Sequence, residues 1–174
     1  DGWEDLLVAN GNAHDVQHAD ILAAQSRERS TPSAEQRLRN ASRFPRLDTA
    51  NLAFRNQQDM RFKDRSLDWG FADRGVTTAM ALADLDNDGD LDFYLGNHAD
   101  KFFVDVNVPF TKNLGMDIHS QQHMFRNDGG KYTDISEEAG MKATGYCLSA
   151  TPSDFNGDGL TDLYVCNDYY IPDY

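Results

Sequence analysis

No apolar run in this chain of 174 residues approaches the roughly 18 needed to cross a bilayer as a helix. No membrane span of that kind is expected. Cysteine is nearly absent, and Cys147 and Cys166 are too few for a disulfide-stapled scaffold. Both fall on strands flanking one acidic loop, which leaves a single bridge and two free thiols equally open. Basic residues are scarce, 16 Lys and Arg against 29 Asp and Glu, for a net charge of −13. That balance argues against nucleic acid as a partner and for metal. Ser/His/Asp arrangements, phosphate loops and Cys-x-x-Cys motifs are all missing. The commonest signatures of catalysis are therefore not available.

Aspartate is abundant, and it is clustered. Asp84-Leu85-Asp86-Asn87-Asp88-Gly89-Asp90-Leu91-Asp92 puts carboxylates at positions 1, 3, 5, 7 and 9 around a glycine at position 6. Such a run would repel itself without a counter-ion. Ca²⁺ takes six to eight oxygens in flexible geometry, which suits carboxylates joined by a backbone carbonyl. Gly89 supplies the sharp turn, having no Cβ to clash at positive φ. The sequence argues against an EF-hand, because position 12 is Leu95 rather than a bidentate Glu and a β-type run follows the loop. The loop joins two strands.

The pattern recurs. Asp154-Phe155-Asn156-Gly157-Asp158-Gly159-Leu160-Thr161-Asp162 repeats positions 1, 3, 5, 6 and 9, and Asp1-Gly2-Trp3-Glu4-Asp5 matches positions 5 to 9. The segments that follow, DLLVANG, DFYLGNH and DLYVCND, align without gaps and bring Asn10, Asn97 and Asn167 into register. Ten aspartates lie in these three cages, so bound divalent ions would offset much of the net charge. Calcium sites of this type work where calcium is plentiful, which points to an extracellular, cell-surface or periplasmic location.

A first strand over 4–9 leads into a long excursion, 10–50. Within it, 16–24 has helical composition, and Thr31 or Ser33 could cap a second helix running to Arg39. The stretch 27–46 carries six arginines and two glutamates. It reads as a solvated insertion or a face complementing an acidic neighbour, with anion or partner recognition as the alternative. Two hairpins of the same grammar follow, 52–56 with 61–64 and 123–127 with 131–135. Connectors 66–75 and 136–145 then lead into small and apolar runs, 77–83 and 146–152, which enter the next cage.

The unit is strand, cage, strand, excursion, strand, turn, strand, with cages spaced 70 residues (84 to 154) and 87 residues (5 to 92) apart. Four strands per unit predict an all-β fold of β-propeller blades, each of four antiparallel strands with calcium-binding loops. The expected division is a partial blade of three strands over 1–75 with the insertion 10–50. A complete blade over 76–144 and the first half of another over 145–174 follow. These pieces amount to about two blades, fewer than a propeller needs. The expectation is therefore a segment of a larger protein.

The cages, the Phe-Arg-Asn hairpins (Phe54-Arg55-Asn56, Phe125-Arg126-Asn127) and the Glu137-Glu138-Ala139-Gly140 connector resemble the FG-GAP/VCBS repeat family. The nearest likeness is to bacterial secreted proteins of the ASPIC/UnbV type. More distantly the repeats are similar to the integrin α-subunit propeller. The resemblance implies calcium held by side chains at positions 1, 3, 5 and 9 and by the carbonyl at 7. That assigns Asp84, Asp86, Asp88, Asp92 and the Asp90 carbonyl to one ion, and Asp154, Asn156, Asp158, Asp162 and the Leu160 carbonyl to a second. The truncated first cage contributes only Asp1, the Trp3 carbonyl and Asp5. Asn156 leaves its site one charge weaker.

The function expected from this pattern is non-catalytic. It is a calcium-binding propeller segment of a secreted or cell-surface protein, whose loops bind a protein or glycan or assemble with neighbouring copies of the chain. The alternative is an enzyme or accessory domain whose metal site is built from histidines. His14-x₃-His18 and His119-x₃-His123 would each aim two imidazoles one way on a helix, with His98 nearby. No Glu of a His-Glu-x-x-His motif accompanies either pair. Convergence of these five histidines would favour the enzyme, and dispersal the binding module.

Overall fold

Short apolar runs bounded by turn residues form nine strands among the described residues, and side-chain volume decides how they stack. The computed structural model describes residues 2–27, 31–98, 121–141, 145–168 and 172–174. Strands β1 (Leu6–Val8), β2 (Leu52–Asn56) and β3 (Phe62–Asp64) form one antiparallel sheet in that order. A second sheet joins β4 (Val76–Ala83), β5 (Asp92–His98), β6 (His123–Asn127) and β7 (Tyr132–Asp134), also in chain order. A third pairs β8 (Cys147–Ser153) with β9 (Asp162–Asn167). The fold is mostly β, and none of the three sheets closes on itself.

The middle sheet is covered on both faces, and β5 shows it. Residues 92–97 are all buried, unlike any other strand among the described residues. Phe93 and Leu95 project to one side, where they pack with Phe125, Ala53 of the first sheet and Phe71 of the connector that follows it. Tyr94 projects to the other side, against Ala79, Ala81 and, from the third sheet, Cys147 and Val165. Each large side chain so buried is worth about 1.5–3 kcal/mol relative to exposure. Phe93 stacks on Phe125 with centroids 4.5 Å apart and meets Phe71 edge-on at 5.2 Å. The sheets are held face to face by small residues opposed to aromatic ones.

The connectors repeat bond for bond. Phe71 N–H donates to Ser66 O, Gly70 N–H to Leu67 O and Trp69 N–H to Arg65 O. Met141, Gly140 and Ala139 N–H donate in the same way to Ser136, Glu137 and Ile135 O. Gly70 and Gly140 both have φ of 69°, a left-handed conformation that favours glycine. The result is that Phe71 and Met141 each plug the junction between their own sheet and the next.

Two expectations shift at their edges. The first strand is Leu6–Val8 rather than 4–9, because Glu4 O and the Asp5 carboxylate accept hydrogen bonds from the Asn56 side chain and backbone at 3.0 and 2.8 Å. The first helix, α1, runs Ala19–Ser26 rather than 16–24. Asp15 takes the Gln17 N–H on its side chain and the His18 N–H on its carbonyl, which holds 15–18 in a turn. Helix α2 (Ala34–Ala41) begins at Ser33, whose hydroxyl accepts the Gln36 N–H while the Gln36 amide oxygen accepts the Ser33 N–H. That reciprocal pair is a capping box. Among the described residues, no helix is long and apolar enough to cross a membrane.

Candidate metal centre

The loop between β4 and β5 is shaped by two left-handed residues. Asn87 (φ 62°) and Gly89 (φ 97°) bend the chain so that its N–H groups point inward at the first carboxylate. Asp84 Oδ1 accepts the Asp88 N–H at 3.1 Å, and Oδ2 accepts the Gly89 N–H at 3.1 Å. Asp86 and Asp88 take the N–H groups two residues ahead of them, Asp88 and Asp90, at 3.2 and 2.9 Å. As a result, one carboxylate oxygen each from Asp84, Asp86 and Asp88 lies within 4.8 Å of the others. Three hard oxygens at that spacing could hold a metal ion. No other group of three or more His, Cys, Asp or Glu gathers so closely among the described residues.

Electrostatics agrees with the geometry. The Asp86 carboxyl is held above the usual carboxylate range, first by removal of water from it and further by the charges of Asp88, Asp92 and Asp84. A bound cation would relieve that repulsion.

Asp90 and Asp92 stand outside the triad and do other things. Asp90 turns one side-chain oxygen to the Gly129 N–H at 2.9 Å. Asp92 is buried and bonded on both oxygens. Oδ2 accepts the Leu85 N–H at 2.8 Å, closing the loop, and Oδ1 accepts the Asn127 N–H at 2.9 Å. The ninth position therefore ties the cage to the third strand of its own sheet. Asp5 does the same with Asn56. Each carboxylate oxygen keeps a second lone pair for a cation.

The loop between β8 and β9 has the same backbone. Gly157 and Gly159 occupy the two left-handed positions, with φ of 79° and 87°. Asp154 accepts the Gly157, Asp158 and Gly159 N–H groups, and Asp162 accepts the Phe155 N–H at 3.0 Å. Asp158 accepts the Leu160 N–H at 2.8 Å. Position 3 changes the chemistry, because the Asn156 amide donates to Asp158 Oδ2 at 3.0 Å. Here the loop satisfies one of its own carboxylates with a neutral donor. Asp154 lies below the usual carboxylate range, held there first by the Gly159 N–H and then by its other backbone donors. In the truncated first loop Gly2 keeps the turn (φ 86°) and Trp3 is half exposed, while Asp1 lies outside the described residues.

The four described histidines belong to no group of three or more possible metal ligands. His14 sits in an isolated bridge opposite Arg46, and His18 stands at the N-cap position of α1 with no side-chain capping bond. The pair therefore precedes the helix rather than lying on it. His98 ends β5 and meets the Tyr146 ring edge-on at 5.0 Å. His123 is on β6, with Nδ1 3.3 Å from Asp134 Oδ2. His119 lies outside the described residues. Both cysteines are free thiols, and burial pushes the Cys147 thiol up to about 11.

Some functional positions were missed in the sequence. The three aligned asparagines close the excursions. The Asn10 side chain donates to Thr49 O and Gly75 O at 2.7 Å, Asn97 to Gln121 O at 2.8 Å and Asn167 to Pro172 O at 3.0 Å. Their common register was the available signal. Loop position 4 was missed as well, although Asn and Gly are the residues that tolerate a left-handed backbone. No protein-family model matches the chain, and no curated protein matches it.

Proposed function

We propose that this chain is a non-catalytic, calcium-binding segment of a β-propeller belonging to a secreted or cell-surface protein. In this reading its repeated sheets form a rigid frame and its excursions recognise a protein or glycan partner. The observation that carries it is the convergence of Asp84, Asp86 and Asp88 on one point. A flexible acidic loop with a carbonyl at position 7 and a further carboxylate at position 9 matches the high coordination number of Ca²⁺. It lacks the strict octahedron that Mg²⁺ demands. Asp84, Asp86, Asp88, Asp92 and the Asp90 carbonyl would hold one ion. Asp154, Asn156, Asp158, Asp162 and the Leu160 carbonyl would hold another on the same backbone. Asp1, the Trp3 carbonyl and Asp5 would contribute to a third.

The sheets support the frame half of the reading. They stack through connectors with the same hydrogen-bond pattern, and the first two cages are bonded to their own sheets through Asp5 and Asp92. Neutralising the cages would therefore stiffen the frame from which the excursions project. Loops held by such a scaffold are where recognition concentrates.

Calcium titration by calorimetry tests the assignment. The Asp86→Ala/Asp88→Ala variant should bind one equivalent fewer than the parent chain, and Mg²⁺ should compete weakly. Unchanged calcium stoichiometry would sink it.

A further inference from the structure

The chain holds two Asn-Gly pairs, Asn10-Gly11 and Asn156-Gly157. In such a pair the glycine nitrogen can attack the asparagine side-chain carbonyl, because no Cβ on the glycine shields it. The structure treats the two pairs oppositely. The Asn10 side chain donates to Thr49 O and Gly75 O, both at 2.7 Å, and accepts the Thr77 N–H at 3.0 Å. These partners lie 39, 65 and 67 residues along the chain, so the side chain cannot turn without breaking three bonds to distant segments. The Gly11 N–H donates to Thr77 O at 3.1 Å, a backbone carbonyl that cannot take up its proton. Asn10 is locked.

Asn156 bonds within its own loop, where residues 153–160 are all exposed. Its Oδ1 accepts the Asp158 N–H at 2.8 Å, and its Nδ2 donates to Asp158 Oδ2 at 3.0 Å. The first of these bonds makes an Asx turn, which folds the side-chain carbonyl back over the peptide that follows. Nothing lies within 4 Å of where a Cβ on Gly157 would stand, so the attacking side is open. The Gly157 N–H meets Asp154 Oδ1 at 2.7 Å. A carboxylate, unlike the carbonyl at Gly11, can receive the proton.

We propose that Asn156 is a site of spontaneous deamidation, and that Asn10, in the same dipeptide, is protected by the fold. The Gly157 nitrogen bonds to Asn156 Cγ, the Cγ–Nδ2 bond breaks, and ammonia departs with the proton that Gly157 gave up. Water then opens the cyclic imide at either carbonyl, leaving aspartate or its β-linked isomer at position 156. Aspartate there reproduces Asp86 of the 84–92 loop and replaces the bond to Asp158 by repulsion between two carboxylates. The isomer instead adds one methylene to the backbone of the turn. Either product gives the loop a further negative charge with time, and no enzyme is required. The chemistry belongs to the amide and does not depend on an ion in the loop.

Incubation of the full 174-residue chain at mildly alkaline pH tests this, in buffer where circular dichroism shows the sheets intact. Peptide mapping by mass spectrometry reads the amide-to-acid conversion at each asparagine. Asn156 should convert at least about tenfold faster than Asn10, because three hydrogen bonds must open before Asn10 can react. In concentrated urea, with the fold gone, the two pairs should convert at similar rates. Gly157→Asn keeps the left-handed turn, as Asn87 does at the matching position of the 84–92 loop. Its side chain shields the attacking nitrogen, so conversion at 156 should be suppressed. A folded chain in which Asn10 converts as fast as Asn156 would overturn the proposal. So would an Asn156 that stays intact in the folded chain while it converts in urea. A folded Gly157→Asn variant that loses the Asn156 amide at the parent rate would overturn it as well.

Discussion

Thr77 Oγ1 donates a hydrogen bond to Asn97 Oδ1 at 2.7 Å and accepts one from Asn51 Nδ2 at 2.7 Å, inside a buried polar seam between the first and second sheets. The Asn97 amide continues the seam to Asp73 Oδ2 and Gln121 O, both at 2.8 Å. Asn10 joins it by accepting the Thr77 N–H and donating its own N–H to Asn51. One unit later Cys147 stands where Thr77 stood, and a thiol is too weak a donor to relay the bond. There Gln122, one methylene longer than Asn51, reaches Asn167 Oδ1 itself at 3.3 Å. The seam survives the substitution because the amide grew by the length that the hydroxyl had bridged.

Thr77→Val should therefore destabilise the chain by about 1–3 kcal/mol, since it removes a hydroxyl and strands two buried amides. Thr77→Ser, which keeps the hydroxyl, should recover most of the loss. Urea denaturation of both variants measures it. Equal stability of Thr77→Val and the parent would show that the seam contributes nothing.

A second prediction concerns pH. Asp64 is held below the usual carboxylate range first by the Ser66 hydroxyl and then by the Ser66 N–H. Ser66 Oγ meanwhile accepts the Ala53 N–H at 2.9 Å. A depressed folded pKa gives stability that is present above the ordinary aspartate value and is lost as pH falls through the folded value. Ser66→Ala should raise the Asp64 pKa toward the ordinary range, read by NMR titration. The pH-dependent increment below the ordinary aspartate value should shrink with it. It should also strand the buried Ala53 N–H, a loss of about 1–3 kcal/mol at neutral pH.

Much of this was legible before any coordinates. The loops were readable because they demand residue types at fixed positions, and the hairpins because Phe-Arg-Asn recurs before each turn. The strand pairing followed from both. The depth of burial was less visible: nothing in Leu6-Leu7-Val8 says that it is half exposed while the matching Phe93-Tyr94-Leu95 is covered on both sides. That difference arises from neighbours in space. The His14-x₃-His18 pair shows the same limit. Spacing of four implies a shared face only on a helix, and a turn at Asp15 keeps His14 off one.

Close approach of the second and third sheets gives a third prediction. A Cβ on Gly96 would lie 2.2 Å from Cys147 Sγ, 3.0 Å from Cys147 Cβ and 3.1 Å from Ala79 Cβ. Gly96→Ala should cost about 1–3 kcal/mol through overpacking. Cys147→Ala in the same chain removes the sulfur and should restore part of that. A double-mutant cycle by thermal denaturation measures the coupling. Strict additivity of the two changes would mean that the sheets do not pack through this contact.

The last prediction compares the two complete loops. Their backbones match, but Asn156 stands where the first loop has Asp86, and its amide donates to Asp158. If calcium occupies both, the 154–162 loop should bind more weakly, for two reasons. It offers one fewer formal charge, and the ion must compete with an amide already bonded to one of its carboxylates. Asn156→Asp removes both handicaps and adds repulsion in the ion-free loop, as Asp86 feels from its neighbours. One added unit charge near a divalent ion corresponds to a gain in affinity on the order of tenfold. Calorimetry on Asn156→Asp in a chain whose other complete loop carries Asp86→Ala/Asp88→Ala isolates this loop. An unchanged affinity would show that loop conformation, rather than the charge at position 3, governs how tightly these cages hold their ion.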